Sequence, residues 1–178
     1  MDAARVLAVN AGSSSIRFAL YDMDESLRRR TRGKIDRIGL SGTTLTVEGA
    51  ISSGARSYAI DVRNHGGAAS ALSDWLEDAG LFSAVKAVGH RVVHGMKHSE
   101  PERITPKLLA ELRRITPYAP DHLPREIALI ESFRRRQPKL AQVACFDTAF
   151  HRTMPRVARL LPIPRRFTAK GVERYGFH

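Results

Sequence analysis

The chain has one cysteine, Cys145, in 178 residues. No internal disulfide can form, which excludes the disulfide-stapled secreted scaffolds and fits a reducing, cytoplasmic setting. The apolar residues around Cys145 predict a packed thiol rather than a reactive one. Aromatic residues make up only 7% of the chain, and 18 acidic residues stand against 29 lysines and arginines. Long hydrophobic runs are lacking, so no segment reads as a membrane-spanning helix. The opening Met1-Asp2-Ala3-Ala4-Arg5 lacks the basic region and extended apolar core of a secretory signal. RNA-recognition, KH, zinc-finger and basic-zipper patterns are missing as well. The net charge of +11 therefore points to anionic nucleotides or an acidic neighbouring portion, and argues against nucleic acid as the partner. The surplus is sharpest after His151, where Arg152, Arg156, Arg159, Arg165, Arg166, Lys170 and Arg174 face only Glu173.

A hydrophobic fraction of 43% and a charged fraction of 26% suit one globular domain. Strands are predicted over Val6 to Asn10, Ser15 to Asp22 and Leu27 to Ile38, then over a hairpin-like pair, Thr43 to Glu48 and Arg56 to Val62. Ala68, Ala71, Leu72, Trp75, Leu76 and Ala79 then share one helical face, with Gly80 as the stop. A strand over Val85 to Val88 follows. Thr105-Pro106 opens a second helix through Ile115, Pro124 a third, and Gln142 to Asp147 forms a last apolar strand ending in a carboxylate. Strands first, then alternating helix and strand, is the plan of an α/β domain with a mixed sheet. The ββαβα-type order matches the ribonuclease-H-like fold of the actin-like ATPases and sugar kinases.

Four segments carry chemistry. In Asn10-Ala11-Gly12-Ser13-Ser14-Ser15 a small-residue loop joins two strands, and its amide and hydroxyl groups can bond phosphoryl oxygens or a hydrated metal. The GxxxxGK[ST] spacing of a Walker loop is absent, and a simple hairpin turn accounts for the same residues. Gly89-His90-Arg91-Val92-Val93-His94-Gly95 puts an arginine near the carboxyl end of a strand, where α/β sheets bind ligands. Its planar fork suits a carboxylate or phosphoryl group, although an arginine that merely caps the strand loop also fits. His90 and His94 are four residues apart in strand and loop, which argues against a zinc pair. Asp147, just past the last strand, can orient magnesium, move a proton or cap the next turn. His122, in the rigid turn before the third helix, either reaches the site or caps the loop.

Taken with the terminal Tyr175-Gly176-Phe177-His178, these segments resemble the acetokinase (acetate kinase) family in order and approximate spacing. The resemblance covers the family's N-terminal part, and residues 1–178 are expected to be its N-terminal ribonuclease-H-like domain without the C-terminal nucleotide-binding domain. It implies reversible phosphoryl transfer from ATP to acetate, giving acetyl phosphate and ADP. Propionate or butyrate kinase, and a non-catalytic basic binding module, are the alternatives. By the same resemblance Asp147 and His178 are catalytic, and Arg91, Val93, His122 and Phe177 bind substrate. Ser13, Ser15 and Arg17 contact the nucleotide phosphates, and Asn10 is linked to Mg2+. A homodimer is implied for the full-length enzyme, while the isolated chain is expected to be inactive, with exposed apolar surface where the second domain docks. Three departures stand out: Arg17 replaces a usual lysine, Asp121-His122-Leu123-Pro124 replaces Leu-His-Asn-Pro, and Met96 replaces a glycine.

Overall fold

In a computed structural model of the chain, residues 3–49, 52–150 and 152–176 are described. Alternating buried and outward residues build the first strands, β1 (Arg5–Ala11) and β2 (Ser15–Asp22), which pair antiparallel. The meander continues through β3 (Arg29–Asp36), β4 (Thr44–Gly49) and β5 (Ser52–Ala59). Helix α1 (His65–Asp78) then crosses to β6 (Val85–Val92), which lies parallel to β1. The chain runs on through a short β7 (Glu102–Arg103), α2 (Pro106–Arg114) and α3 (Leu123–Arg136) to β8 (Ala141–Phe146), parallel to β6. The result is one mixed eight-stranded sheet in the order β5-β4-β3-β2-β1-β6-β8-β7. Three one-turn helices follow: α4 (Asp147–Phe150), α5 (Arg156–Arg159) and α6 (Arg165–Ala169).

Local chemistry sets the helix ends. The Asn64 side chain accepts from Gly67 N–H at 2.9 Å at the start of α1, and Gly80, just past its end, takes φ +67°. Thr105 accepts from Leu108 N–H at 3.2 Å to cap α2, with Pro106 in its first turn. α1 buries Ala68, Leu72 and Leu76 completely against one face of the sheet, where they meet Leu7, Ile16, Leu20 and Ile35. Each fully buried leucine or isoleucine contributes roughly 1.5–3 kcal/mol relative to exposure. A second core joins the ends of β6 and β8 to α2 and the first turns of α3, through Val92, Val93, Leu109, Leu123 and Phe146.

Three expectations change. β6 runs four residues past Val88, because it pairs with β1 on one side and β8 on the other, so Arg91 stands in the sheet and not in a loop. β5 ends at Ala59 instead of Val62; its residues 54–59 are exposed, and register is set by pairing with β4, as in Val47↔Arg56. Cys145 does lie in β8, but it is exposed, because strand parity turns it to the face opposite α1.

Close packing at Gly95 gives a direct test. A Cβ there would overlap the Phe146 ring, whereas one at Gly89 meets no atom within 4 Å. Gly95→Ala is expected to lower stability in urea unfolding by about 1–3 kcal/mol, and Gly89→Ala to leave it unchanged. Equal effects of the two substitutions would contradict this packing.

Candidate functional site

Side chains in a strand alternate between faces, so residues of like parity on neighbouring strands collect on one side. On β1, Leu7, Val9 and Ala11 enter the core and Asn10 faces the other way. β6 buries His90 and Val92 and turns Arg91 outward, and β8 buries Ala144 and Phe146 and turns out Cys145, followed by Asp147. Val9↔His90 and Arg91↔Cys145 are paired in register. Asn10, Arg91 and Asp147 therefore meet on the open face at the carboxyl ends of three parallel strands, where ligands bind in α/β sheets. Across β2, Arg17 pairs with Asn10 on the same face.

Arg91 is the centre of the cluster. Its Nε donates to both Asp147 carboxylate oxygens, at 3.0 and 2.8 Å, and its Nη2 donates to Oδ2. Nη1 donates to Asn10 Oδ1 at 3.3 Å. Hydrogen bonding to Asp147 raises the guanidinium pKa further, so its charge is permanent. A guanidinium has five N–H groups. One on Nη1 and one on Nη2 remain for a substrate oxygen. An open groove of about 580 Å³ runs from this cluster along the sheet, lined by Asn10, Arg17, Phe18, Lys34, Arg91 and Cys145.

The loop after β1 is a hairpin turn. Gly12 N–H donates to Ser15 C=O at 2.7 Å, closing a tight hairpin turn, while the Gly12 carbonyl accepts from His65 Nε2 at 2.8 Å. The first residue of α1 thus fixes the loop. Ser13 is exposed and Ser15 half-buried. Ser13 faces a different depression from Arg91, beside Arg63, Asn64 and Arg125, so the loop borders the site on its α1 side.

The remaining expected residues divide. Val93 is buried in the second core at the end of β6. His122 stands at the head of α3 and makes no side-chain capping bond to the helix. Phe177 and His178 lie outside the described residues, as does His151. Their neighbour Tyr175 packs its ring on His94, with centroids 4.9 Å apart, so the terminal segment reaches the loop that follows β6. Arg174 N–H donates to Arg159 C=O at 2.9 Å, and Glu173 accepts from the Arg159 side chain at 2.6 and 3.1 Å, which ties that segment down. Met96 takes φ +52° in the same loop, a conformation that favours glycine. His90 and His94 part company: His90 packs on Phe133, while His94 meets Tyr118 and Tyr175.

Sequence reasoning missed Glu126. This residue in the first turn of α3 is only 2% exposed, and both of its carboxyl oxygens accept from Val93 N–H at 3.2 Å. Burial pushes its pKa up to about 7. The signal was present: Leu123, Glu126, Ile127 and Ile130 follow helical spacing, so Glu126 falls within an apolar stripe.

Magnesium keeps most of its waters and takes few protein ligands when phosphates supply the rest, and the one neutral oxygen of that kind that the Arg91 groove offers from β1 is the Asn10 amide, which also accepts from Arg91. Among the described residues, no group of three or more His, Cys, Asp or Glu is gathered for a closed metal cage.

Burial also gives His90 a titration signature. Desolvation lowers its pKa from 6.5 to about 4. The unfolded chain therefore takes up a proton first as the pH falls, and the stability tied to neutral His90 is complete above about 6.5 and lost towards 4. The loss approaches about 3 kcal/mol. Urea unfolding between pH 7 and 4 is expected to show a shallower fall for His90→Asn than for the unsubstituted chain; parallel curves would contradict the assignment.

Comparison with known proteins places this geometry. The acetokinase family matches residues 5–178. Acetate kinase of Rhodopseudomonas palustris (strain TIE-1) is 38% identical over 177 residues, covering 97% of this chain and 44% of the relative. Acetate kinase of Deinococcus radiodurans is 41% identical over 174 residues, covering 97% and 43%. Among solved structures, Porphyromonas gingivalis acetate kinase superposes with a TM-score of 0.87 at 32% identity, covering 99% of this chain and 45% of that one. A propionate kinase from Francisella tularensis gives the same TM-score at 29% identity, covering 98% and 45%. The chain thus spans under half the length of these relatives, and the α/β architecture with one mixed sheet is the one they share with the actin-like ATPases. With a match along nearly its whole length, the chain belongs to the acetokinase family.

Proposed function

We propose that these 178 residues form the acyl-phosphate half of a kinase that transfers the γ-phosphoryl group of ATP to acetate, giving acetyl phosphate and ADP. The observation that carries this reading is the Arg91 guanidinium, held by Asp147 and Asn10 at the ends of three parallel strands with two N–H donors to spare. A carboxylate or acyl-phosphate oxygen is the complement of that fork.

The transfer is an in-line displacement: a carboxylate oxygen bonds to phosphorus as the bond to the ADP oxygen breaks, and the departing charge stays on ADP. Positioning and charge stabilisation account for most of the catalysis. Acetate, with a carboxyl pKa of about 4, is already ionised at neutral pH and needs no general base. Asp147 therefore serves by orienting Arg91. Val93 forms an apolar wall for the acyl methyl group, the family resemblance gives Phe177 the same role, and His122 lies on the acyl side. Arg17 faces the phosphates from the open face, Ser13 and Ser15 border them from the loop after β1, and His178 donates to the charge on the transferring group. Asn10 would hold a magnesium ion, which would supply charge neutralisation of the phosphates.

The nucleotide pocket belongs, on this reading, to a second domain of the kind that makes up the rest of the relatives' length, and the groove on the open face is where such a domain docks. ATP as donor implies a cytoplasmic enzyme, and the family resemblance a homodimer. Propionate is the second acceptor to test, because one close structural neighbour is a propionate kinase and residues Asp121-His122-Leu123 depart from the family's usual acyl-side sequence.

Acyl phosphate trapped with hydroxylamine measures the function, using the chain supplemented with the C-terminal domain of a relative. Arg91→Ala is expected to lower kcat/KM roughly 100-fold or more. Asp147→Asn is expected to lower it about 10-fold or more, mainly by raising KM for acetate. Unchanged kinetics in Arg91→Ala would overturn the proposal, and a higher kcat/KM with propionate would reassign the acceptor.

A further inference from the structure

Glu126 lies beside this site without belonging to the residues that contact substrate. Its carboxyl is buried, and a single peptide N–H, that of Val93, serves both oxygens at 3.2 Å. One donor cannot satisfy an ionised carboxylate, which has about four acceptor positions. The N-terminus of α3 adds a favourable but smaller field. Two charges on neighbouring elements act on the group: Arg91 of β6 favours its ionised form and Asp147, at the head of α4, opposes it. Arg113 of α2 meets Glu131, Arg136 meets Asp74 and Glu77 of α1, and Arg125 donates to the Asp121 carbonyl. His122 precedes the helix and His94 follows Val93, the latter with its pKa lowered by burial.

We propose that Glu126 is a positioning residue that fixes the Val93 backbone at the acyl pocket and takes up a proton when an anionic substrate binds at Arg91. A carboxylate arriving at Arg91 adds negative charge on the side from which Asp147 already repels Glu126, and it shares the one cation that favours ionised Glu126. Binding and protonation of Glu126 therefore favour each other, and by linkage the substrate is held more tightly when Glu126 is neutral. The raised pKa of about 7 puts that coupling near neutrality. This inference rests on the reading of Arg91 as the carboxylate-binding residue.

The test is an NMR titration of the nitrogen-15-labelled chain with acetate from pH 5.5 to 8.5, a range in which acetate itself does not titrate. Without ligand, the Val93 amide is expected to shift with a midpoint near pH 7, and this step should vanish in Glu126→Gln, which keeps an acceptor for the same N–H. With acetate, Kd is expected to rise several-fold across the range in the unsubstituted chain. In Glu126→Gln it should stay at the low-pH value. The same rise in Glu126→Gln, or none in the unsubstituted chain, overturns the coupling. A Val93 step near pH 7 with no acetate response at any pH overturns the coupling through failure of the Arg91 reading, whereas acetate binding without that step overturns the role of Glu126 alone. Glu126→Ala, which removes the acceptor, is expected to raise Kd at every pH while abolishing the pH dependence.

Discussion

Asp147 and Arg91 meet across two parallel strands, and the candidate site depends on that bidentate contact. Arginine is long and flexible, and left alone it would point its charge into solvent. Here the carboxylate takes the Nε edge and Nη2, Asn10 takes Nη1, and the guanidinium is left with one orientation. The pair is partly exposed, with side-chain accessibilities of 32% and 21%, so its contribution to stability is small. Its value is geometric. Two donors remain aimed along the open face of the sheet, and the cation is in place before an anion arrives, which lowers the entropy lost on binding.

Sheet parity makes this contact possible, and the two cores keep it rigid. The first core fixes β1 and β6 against α1, while the second fixes the ends of β6 and β8 against α2 and α3. Asn10 is separated from Arg91 by 81 residues and Arg91 from Asp147 by 56, yet each is one step from a buried neighbour that cannot move. Glu126 adds a second tie, from α3 to the residue two beyond Arg91. Two buried titratable groups thus lie behind the site with opposite preferences, His90 kept neutral against acid and Glu126 kept neutral against base. Burial of His90 costs stability as the pH falls from about 6.5 to 4, and burial of Glu126 costs stability as it rises from about 4.5 to 7, so the two dependences oppose each other and largely cancel in between.

Much of this could be read from the sequence because the relevant signals are local. The apolar runs ending at Asn10 and Asp147, the Thr105-Pro106 cap and the stripe from Ala68 to Leu76 each announce an element by its own spacing. The full length of β6 could not be read that way. Gly89-His90-Arg91 looks like a loop by composition and becomes strand only because β1 and β8 supply partners on both sides. Cys145 shows the same limit, since an apolar strand does not reveal which of its faces will be covered. Glu126 was hidden by distance: its partner, Val93, is 33 residues earlier, and a first-turn glutamate ordinarily signals a helix start and nothing more.

The orientation of Arg91 is the central claim, and its Nε–H resonance tests it most directly. If Asp147 holds that proton, the resonance should exchange slowly with water, lie downfield of the other arginine Nε–H signals and disappear into the bulk group in Asp147→Asn. Acetyl phosphate should shift it in the unsubstituted chain. A fast-exchanging Arg91 Nε–H that ignores both the Asp147 substitution and acetyl phosphate would contradict the account.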